Sequence, residues 1–127
     1  MNTTEVSAGV IRNKYGQILI CRRTGTLAGL SEFPGGKREF GETIEECLIR
    51  ELHEELQIDV KVFGILHTVD VIKEEKQLRL IFISAELQEN QVPKATVHSE
   101  IRWIDPISLA EYDFCPADIQ FLHEYPL

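Results

Sequence analysis

The sequence predicts a mixed α/β fold, and three features of the pattern predict it. Short β-branched and apolar runs recur between turn signals, as strands do. One helix in the middle of the chain is marked by its own cap and by helical periodicity. Two short segments near the end open on proline, which favours the first turn of a helix. A length of 127 residues suits one domain over 1–127 with a real hydrophobic core. No internal repeat, low-complexity tract or long linker interrupts it.

Taken in order, "EVSAGVIRN" and "ILICRR" flank the turn "NKYGQ" and read as a hairpin. "TGTLAGLSEF" and "FPGGKREFGE" are two polar, glycine-bearing loops. A helix starts at "TIEE", where Thr43 and Glu46 have the spacing of a capping box, and runs to about Leu56. "IDVKVFGILHTVDVI" alternates as one or two strands broken near Gly64. "KEEK" makes a charged turn into the strand "QLRLIFISAEL". "EIRWIDP" is a short strand ended by Pro106, and "PISLAEY" and "PADIQFLHEY" are the terminal helices.

Composition excludes several classes of function. A hydrophobic fraction of 43% and a charged fraction of 27% are those of a soluble globular protein. No run approaches the roughly 18 apolar residues of a membrane span. The start "MNTTEVSAGVI" lacks the basic and long apolar parts of a secretory signal. Cys21, Cys47 and Cys115 are scattered and without metal-ligand spacing, so they read as reduced thiols of a cytoplasmic protein. A net charge of −8 argues against a nucleic-acid polymer as partner but not against a small phosphorylated ligand arriving with divalent cations.

The central helix carries the anomaly. At about 100° per residue, Glu51, Glu54 and Glu55 fall on the side of Ile44, Cys47 and Leu48. Glu46, Arg50, His53 and Gln57 take the outward side. Carboxylates that continue a buried stripe repel one another, and desolvation makes each worse. Protonation, basic side chains or metal ions could neutralise them. One outward arginine does not balance three acids, whereas Mg²⁺ prefers oxygen ligands and commonly sits between carboxylates and substrate phosphates. His53-Glu54 has Gln57 where a zinc protease helix needs a second histidine, which removes that reading.

Ahead of the helix, Pro34-Gly35-Gly36 makes a tight backbone segment. Gly36, Glu42 and then Arg50-Glu51-Leu52-His53-Glu54-Glu55-Leu56-Gln57-Ile58 follow at the spacing G-x5-E-x7-R-E-U-x-E-E-x-G-U. This resembles the Nudix box at every fixed position except Gln57, where that family has glycine. The order of "AGVIRN", "ILICRR", "LSEFPGGK", "RELHEEL" and "FCPAD" is similar to the MutT-like branch of nucleoside triphosphate pyrophosphohydrolases.

The resemblance implies a Nudix fold, with a mixed β-sheet sandwiched between helices. It implies Mg²⁺-dependent hydrolysis of a nucleoside triphosphate to monophosphate and pyrophosphate, with Mn²⁺ as a substitute. Glu51, Glu54, Glu55 and the Gly35 carbonyl are the implied metal ligands, and Glu51 or Glu54 also handles the proton of the attacking water. Arg50 orients the carboxylates, while Gly36 and Glu42 support the loop. Arg23 is the better match for a phosphate contact and Arg22 the alternative; solvated strand-end arginines are the bland reading. The auxiliary carboxylate expected six residues before Trp103 is replaced by Val97, leaving His98 or Glu100 to substitute. Glu100 could instead pair with Arg102, and His98 could be a plain loop histidine.

Phe33, Leu80 and Phe82 are candidate walls for the base, with core positions as the other reading. Asp118, in the first turn of the last helix, either reads the base or serves the helix dipole. Oxidised purine triphosphates such as 8-oxo-dGTP and cytidine-type triphosphates both remain open as substrates. So do a monomer and a homodimer, and a nucleotide-binding regulatory module without catalysis.

Overall fold

The computed structural model describes residues 2–127. Strands β1 (Thr3–Arg12), β2 (Ile18–Arg22), β3 (Ser31–Glu32), β4 (Gly35–Lys37), β5 (Val60–Lys73), β6 (Lys76–Leu87) and β7 (Glu100–Ile104) form one seven-stranded sheet. Its spine runs β3-β2-β1-β6-β5, with β4 on β1 and β7 on β2. β1 and β6 are parallel, from Thr3↔Gln77 to Arg12↔Glu86; the other pairings are antiparallel. Two helices, α1 (Ile44–Leu56) and α2 (Pro116–Glu124), and a 3-10 helix at Pro106–Glu111 complete the fold.

Alternation along the strands feeds two cores. One gathers Ile11, Leu19, Ile81 and Ile83 under Leu48, Leu52 and Leu56 of α1. The other gathers Val10, Ile20, Phe33, Phe82, Leu109 and Phe114 around Phe121 of α2. The sheet therefore lies between helical layers, as the resemblance implies. Burying a Leu or Phe side chain contributes about 1.5–3 kcal/mol, so both faces contribute substantially. Phe82 stacks on Phe121 at 4.0 Å and ties α2 to the sheet.

The capping box at the start of α1 is present: Glu46 N–H donates to the Thr43 hydroxyl, and Thr43 N–H to the Glu46 carboxylate. The "KEEK" turn has Glu74 and Glu75 both at positive φ, the conformation of a type I′ hairpin turn. Three elements differ from the sequence reading. The two glycine-bearing loops contain β3 and β4, strands too short to show alternation. "IDVKVFGILHTVDVI" is one strand, because irregularities at Val62/Gly64 and Ile65/His67 absorb the break without ending it. "PISLAEY" is a 3-10 helix rather than an α-helix.

Gln57 ends α1 in the left-handed region at φ 56°, donating its N–H to His53 and Leu52 carbonyls. A side chain there is strained where glycine is not. Gln57→Gly should therefore stabilise the protein by about 1 kcal/mol, read as a rise of several degrees in Tm. An unchanged or lower Tm would show that the glutamine side chain recovers the strain elsewhere.

Candidate active site

Two glycines bring the loop onto the helix. A Cβ at Gly35 would lie 2.0 Å from the Ser7 carbonyl oxygen, and one at Gly36 would lie 2.3 Å from Cδ of Glu51. Gly35 excludes any side chain and one at Gly36 would push the Glu51 carboxylate away, so the backbone of β4 lies directly against β1 and that carboxylate.

Arg50 is the correction to the helical wheel. Its side chain is only 23% exposed and turns into the acids rather than outward. Nη1 donates to Glu51 at 3.0 Å and Glu54 at 3.2 Å; Nε and Nη2 donate to both oxygens of Glu42 at 3.0 and 2.8 Å. Nη2 also donates to the Lys37 carbonyl at 3.1 Å. A long side chain can bend across its helix toward charge, which a wheel built on Cβ directions misses. Arg50, then the Glu39 N–H, hold the Glu42 carboxyl down at about 2. Glu54 is the second correction: its side chain is 57% exposed, so it leaves the buried stripe on which Glu51 sits at 14%.

Glu55 receives no such relief. Burial first, then the Glu51 charge beside it, raises its carboxyl to about 8. Its Oε2 is buried with no hydrogen-bond partner among the described residues. Among those residues, no group of three His, Cys, Asp or Glu side chains stands preformed for a metal ion. The donor set nonetheless fits a hard divalent cation: all-oxygen, net negative, and containing one buried carboxylate oxygen without a partner. Glu51, Glu54, Glu55 and the Gly35 carbonyl are the groups that would hold it.

Beside this helix lies a second charged group the sequence reading missed. Glu32 accepts from Arg23 Nη1 at 2.8 Å and pairs with His98 Nε2 at 2.9 Å. Burial opposes its ionisation, yet the bonds from His98 and Arg23 prevail and hold the carboxyl below its ordinary range. An ionised carboxylate only accepts, so His98 Nε2 carries the proton. His98 is therefore a buried partner, 5% exposed, and not a plain loop histidine. Arg23 is engaged by Glu32 and by the Thr26 carbonyl and hydroxyl. Arg22 is exposed, and its carbonyl accepts from Ser99 N–H. Glu100 is bonded by Arg102, which holds its carboxyl low. Glu32 stands in "LSEFPGGK" beside Phe33, on a two-residue strand too short for alternation to single it out.

On the other face, Phe33 and Phe82 are core residues, stacked or edge-on with Phe114 and Phe121. Neither offers an open wall; Leu80 is half-buried against the same cluster. Asp118 is buried, and its Oδ1 accepts from the Phe33 N–H at 3.3 Å. Burial raises its carboxyl to about 7, against the opposing Phe33 bond and with help from the Glu32 charge.

A mixed sheet between helices, with an arginine-tied glutamate helix against a Gly-Gly strand, defines an α/β protein built to gather acidic oxygens at one loop–helix junction. The sequence profile of the NUDIX domain matches residues 2–125, and the chain belongs to that family. It is 32% identical over 120 residues to the 8-oxo-dGTP diphosphatase of Escherichia coli, covering 93% of this chain and 92% of that protein. It is 34% identical to the CTP pyrophosphohydrolase of the same organism, covering 98% and 93%. The solution structure of the E. coli ORF135 protein superposes with a TM-score of 0.83 at 31% identity, over 97% of this chain and 88% of that one. The MutT NUDIX hydrolase of Burkholderia pseudomallei, at 23% identity, shares the fold with a TM-score of 0.84 over 98% and 99%.

Asp118 sets a pH dependence whose sign follows from its shift. Raised from 3.8 to about 7, it makes the folded state bind more protons than the unfolded between those values. Stability should fall as pH rises through that window and level off above it. Asp118→Asn keeps the acceptor for Phe33 and loses the charge. Its Tm advantage over the parent should grow from pH 4 to pH 7 and then stay constant. A constant difference across the whole range would place the titrating group elsewhere.

Proposed function

We propose that this chain is a MutT-like nucleoside triphosphate pyrophosphohydrolase dependent on Mg²⁺, with Mn²⁺ as a substitute, acting in the cytoplasm. The observation that carries the reading is the glutamate helix, tied by Arg50 and pressed onto Gly35-Gly36. A divalent cation held by Glu51, Glu54, Glu55 and the Gly35 carbonyl would neutralise phosphate charge and lower the pKa of water at the site.

The protein groups divide the remaining work. Arg50 holds Glu42, Glu51 and Glu54 in one orientation, so the carboxylates need little rearrangement on binding. Glu54 accepts from Arg50 through Oε2, and its exposed carboxylate takes the proton of the attacking water at Oε1. Water oxygen bonds to the β phosphorus, the bond from that phosphorus to the oxygen bridging it to the α phosphorus breaks, and the nucleoside monophosphate leaves with the electron pair while pyrophosphate keeps the new oxygen. Arg23 exchanges part of its bonding to Glu32 for the triphosphate. Asp118 accepts from N–H groups of the base, which suits the amino group of cytosine and the N–H edge of an oxidised guanine. The relatives named for 8-oxo-dGTP and for CTP support those two candidate classes.

Purified protein with Mg²⁺ should release pyrophosphate from at least one of 8-oxo-dGTP, CTP, dCTP and 5-methyl-dCTP, and EDTA should abolish it. Glu54→Gln should lower turnover by roughly a hundredfold or more while the protein stays folded. Near-normal turnover in that variant would sink the assignment of Glu54. Bound nucleotide without pyrophosphate release from any member of the panel would mark a regulatory module instead.

A companion measurement concerns linkage. Mg²⁺ at about a hundred times its Kd should stabilise the fold by about 2.7 kcal/mol. In Glu55→Gln, Tm without metal should exceed that of the parent at pH 8, because the carboxyl raised to about 8 no longer has to be held against Glu51. A lower metal-free Tm for Glu55→Gln would show that its carboxylate supports the fold.

A further inference from the structure

Ser7 is a buried polar residue, 1% exposed, and none of the functions above uses it. It sits on β1 directly opposite Gly36 of β4. Its hydroxyl accepts from Gly36 N–H at 3.3 Å, donates to the Gly36 carbonyl at 3.2 Å and contacts Cys47 Sγ at 3.4 Å. Cys47, buried on α1, donates its S–H to the same Gly36 carbonyl at 3.3 Å and lies 3.9 Å from Arg50 Nη2. Two small polar side chains from two different elements therefore hold the two peptide groups on either side of Gly36.

The grip has a geometric consequence. The Gly35 carbonyl and the Gly36 N–H belong to one trans peptide, so they point in opposite directions. With the N–H drawn toward Ser7, the Gly35 carbonyl faces away from β1. A Cβ at Gly36 would displace the Glu51 carboxylate. Alanine in place of Ser7 and Cys47 would pack as well in an apolar core but would leave the β1–β4 pairing alone to orient the peptide. Buried hydroxyl and thiol groups are retained there at a desolvation cost that only their mutual bonds offset.

We propose that Ser7 and Cys47 are a positioning pair: they aim the Gly35 carbonyl and fix its distance to the α1 carboxylates, and so set the affinity for the divalent cation. The inference rests on the functional reading above and names Ser7, outside the motif that carries it, and Cys47, at one of that motif's unspecified positions. The pair touches neither substrate nor metal: Ser7 acts on the Gly35–Gly36 peptide directly, and Cys47 acts through the Gly36 carbonyl and the Ser7 hydroxyl.

The test is Mn²⁺ binding to the whole protein without nucleotide, by titration calorimetry or electron paramagnetic resonance, beside Tm in EDTA. Ser7→Ala and Cys47→Ala should each weaken Mn²⁺ binding by about tenfold, more than any change in metal-free Tm explains. Ser7→Thr and Cys47→Ser keep the hydrogen-bonding groups and should restore affinity to within about twofold of the parent. Alanine variants that bind Mn²⁺ like the parent would overturn the proposal and leave the metal site standing. So would Thr and Ser variants as weak as the alanines, because packing and not hydrogen bonding would then be responsible. A parent protein that binds no Mn²⁺ at any concentration would overturn the metal reading itself.

Discussion

Arg50 is the interaction on which the rest of the site depends. Glu39, Glu42, Glu51 and Glu54 all lie within ion-pairing distance of its guanidinium, the furthest at 3.6 Å. Without it, the loop before α1 and the acidic face of the helix would repel each other and separate. With it, the Glu42 carboxylate is locked to the loop, and Glu51 and Glu54 share one guanidinium. An isolated exposed pair would contribute little. This cation is shared, partly buried and forked, which is where arginine is stronger than lysine.

The arginine fixes direction but leaves a residue of charge. Glu55 has no basic partner, and its carboxyl is raised instead. On the other side of the same sheet end, Asp118 is raised by the same cause, burial. Glu32 lies between them electrostatically and is held down by its bonds from His98 and Arg23. The protein thus keeps two acids raised by burial and a third lowered by its partners, according to what each one faces.

Much of this was legible in the sequence because it is periodic or local. The capping box, the helix to Leu56, the hairpins and the Pro116 start depend on neighbours in the chain, and they stand where the pattern puts them. The motif spacing from Gly36 to Glu55 fixed which groups meet. What did not show was long-range: Glu32 with His98, 66 residues apart, and Ser7 with Gly36, 29 apart. Such contacts depend on β-sheet register, and a short strand such as β3 or β4 has too few residues to reveal its face. Arg50 was misread for a different reason, since the wheel gives the direction of Cβ and not the reach of a guanidinium. Phe33 and Phe82 were ambiguous because an aromatic wall and an aromatic core have the same composition.

The position of the acids explains one last feature. Glu54 and Glu55 occupy the last turn of α1, the negative end of its dipole, where a carboxylate costs about 0.3–1 kcal/mol, and Glu51 lies a turn earlier. A helix selected for stability alone would carry lysine or arginine there. The long segment between β6 and β7 offsets this by bringing donors to the helix end. Lys94 N–H reaches the Leu56 carbonyl, and both the N–H and hydroxyl of Thr96 reach the Glu55 carbonyl. The same segment is anchored beyond that point by Thr24 on the Val97 carbonyl, His98 on Glu32 and Ser99 on the Arg22 carbonyl. Val97 itself stays exposed and contributes no carboxylate. The segment therefore serves the site through its backbone and its anchors: it satisfies the helix end that the glutamates burden, and it brings His98 to the one carboxylate that Arg23 shares.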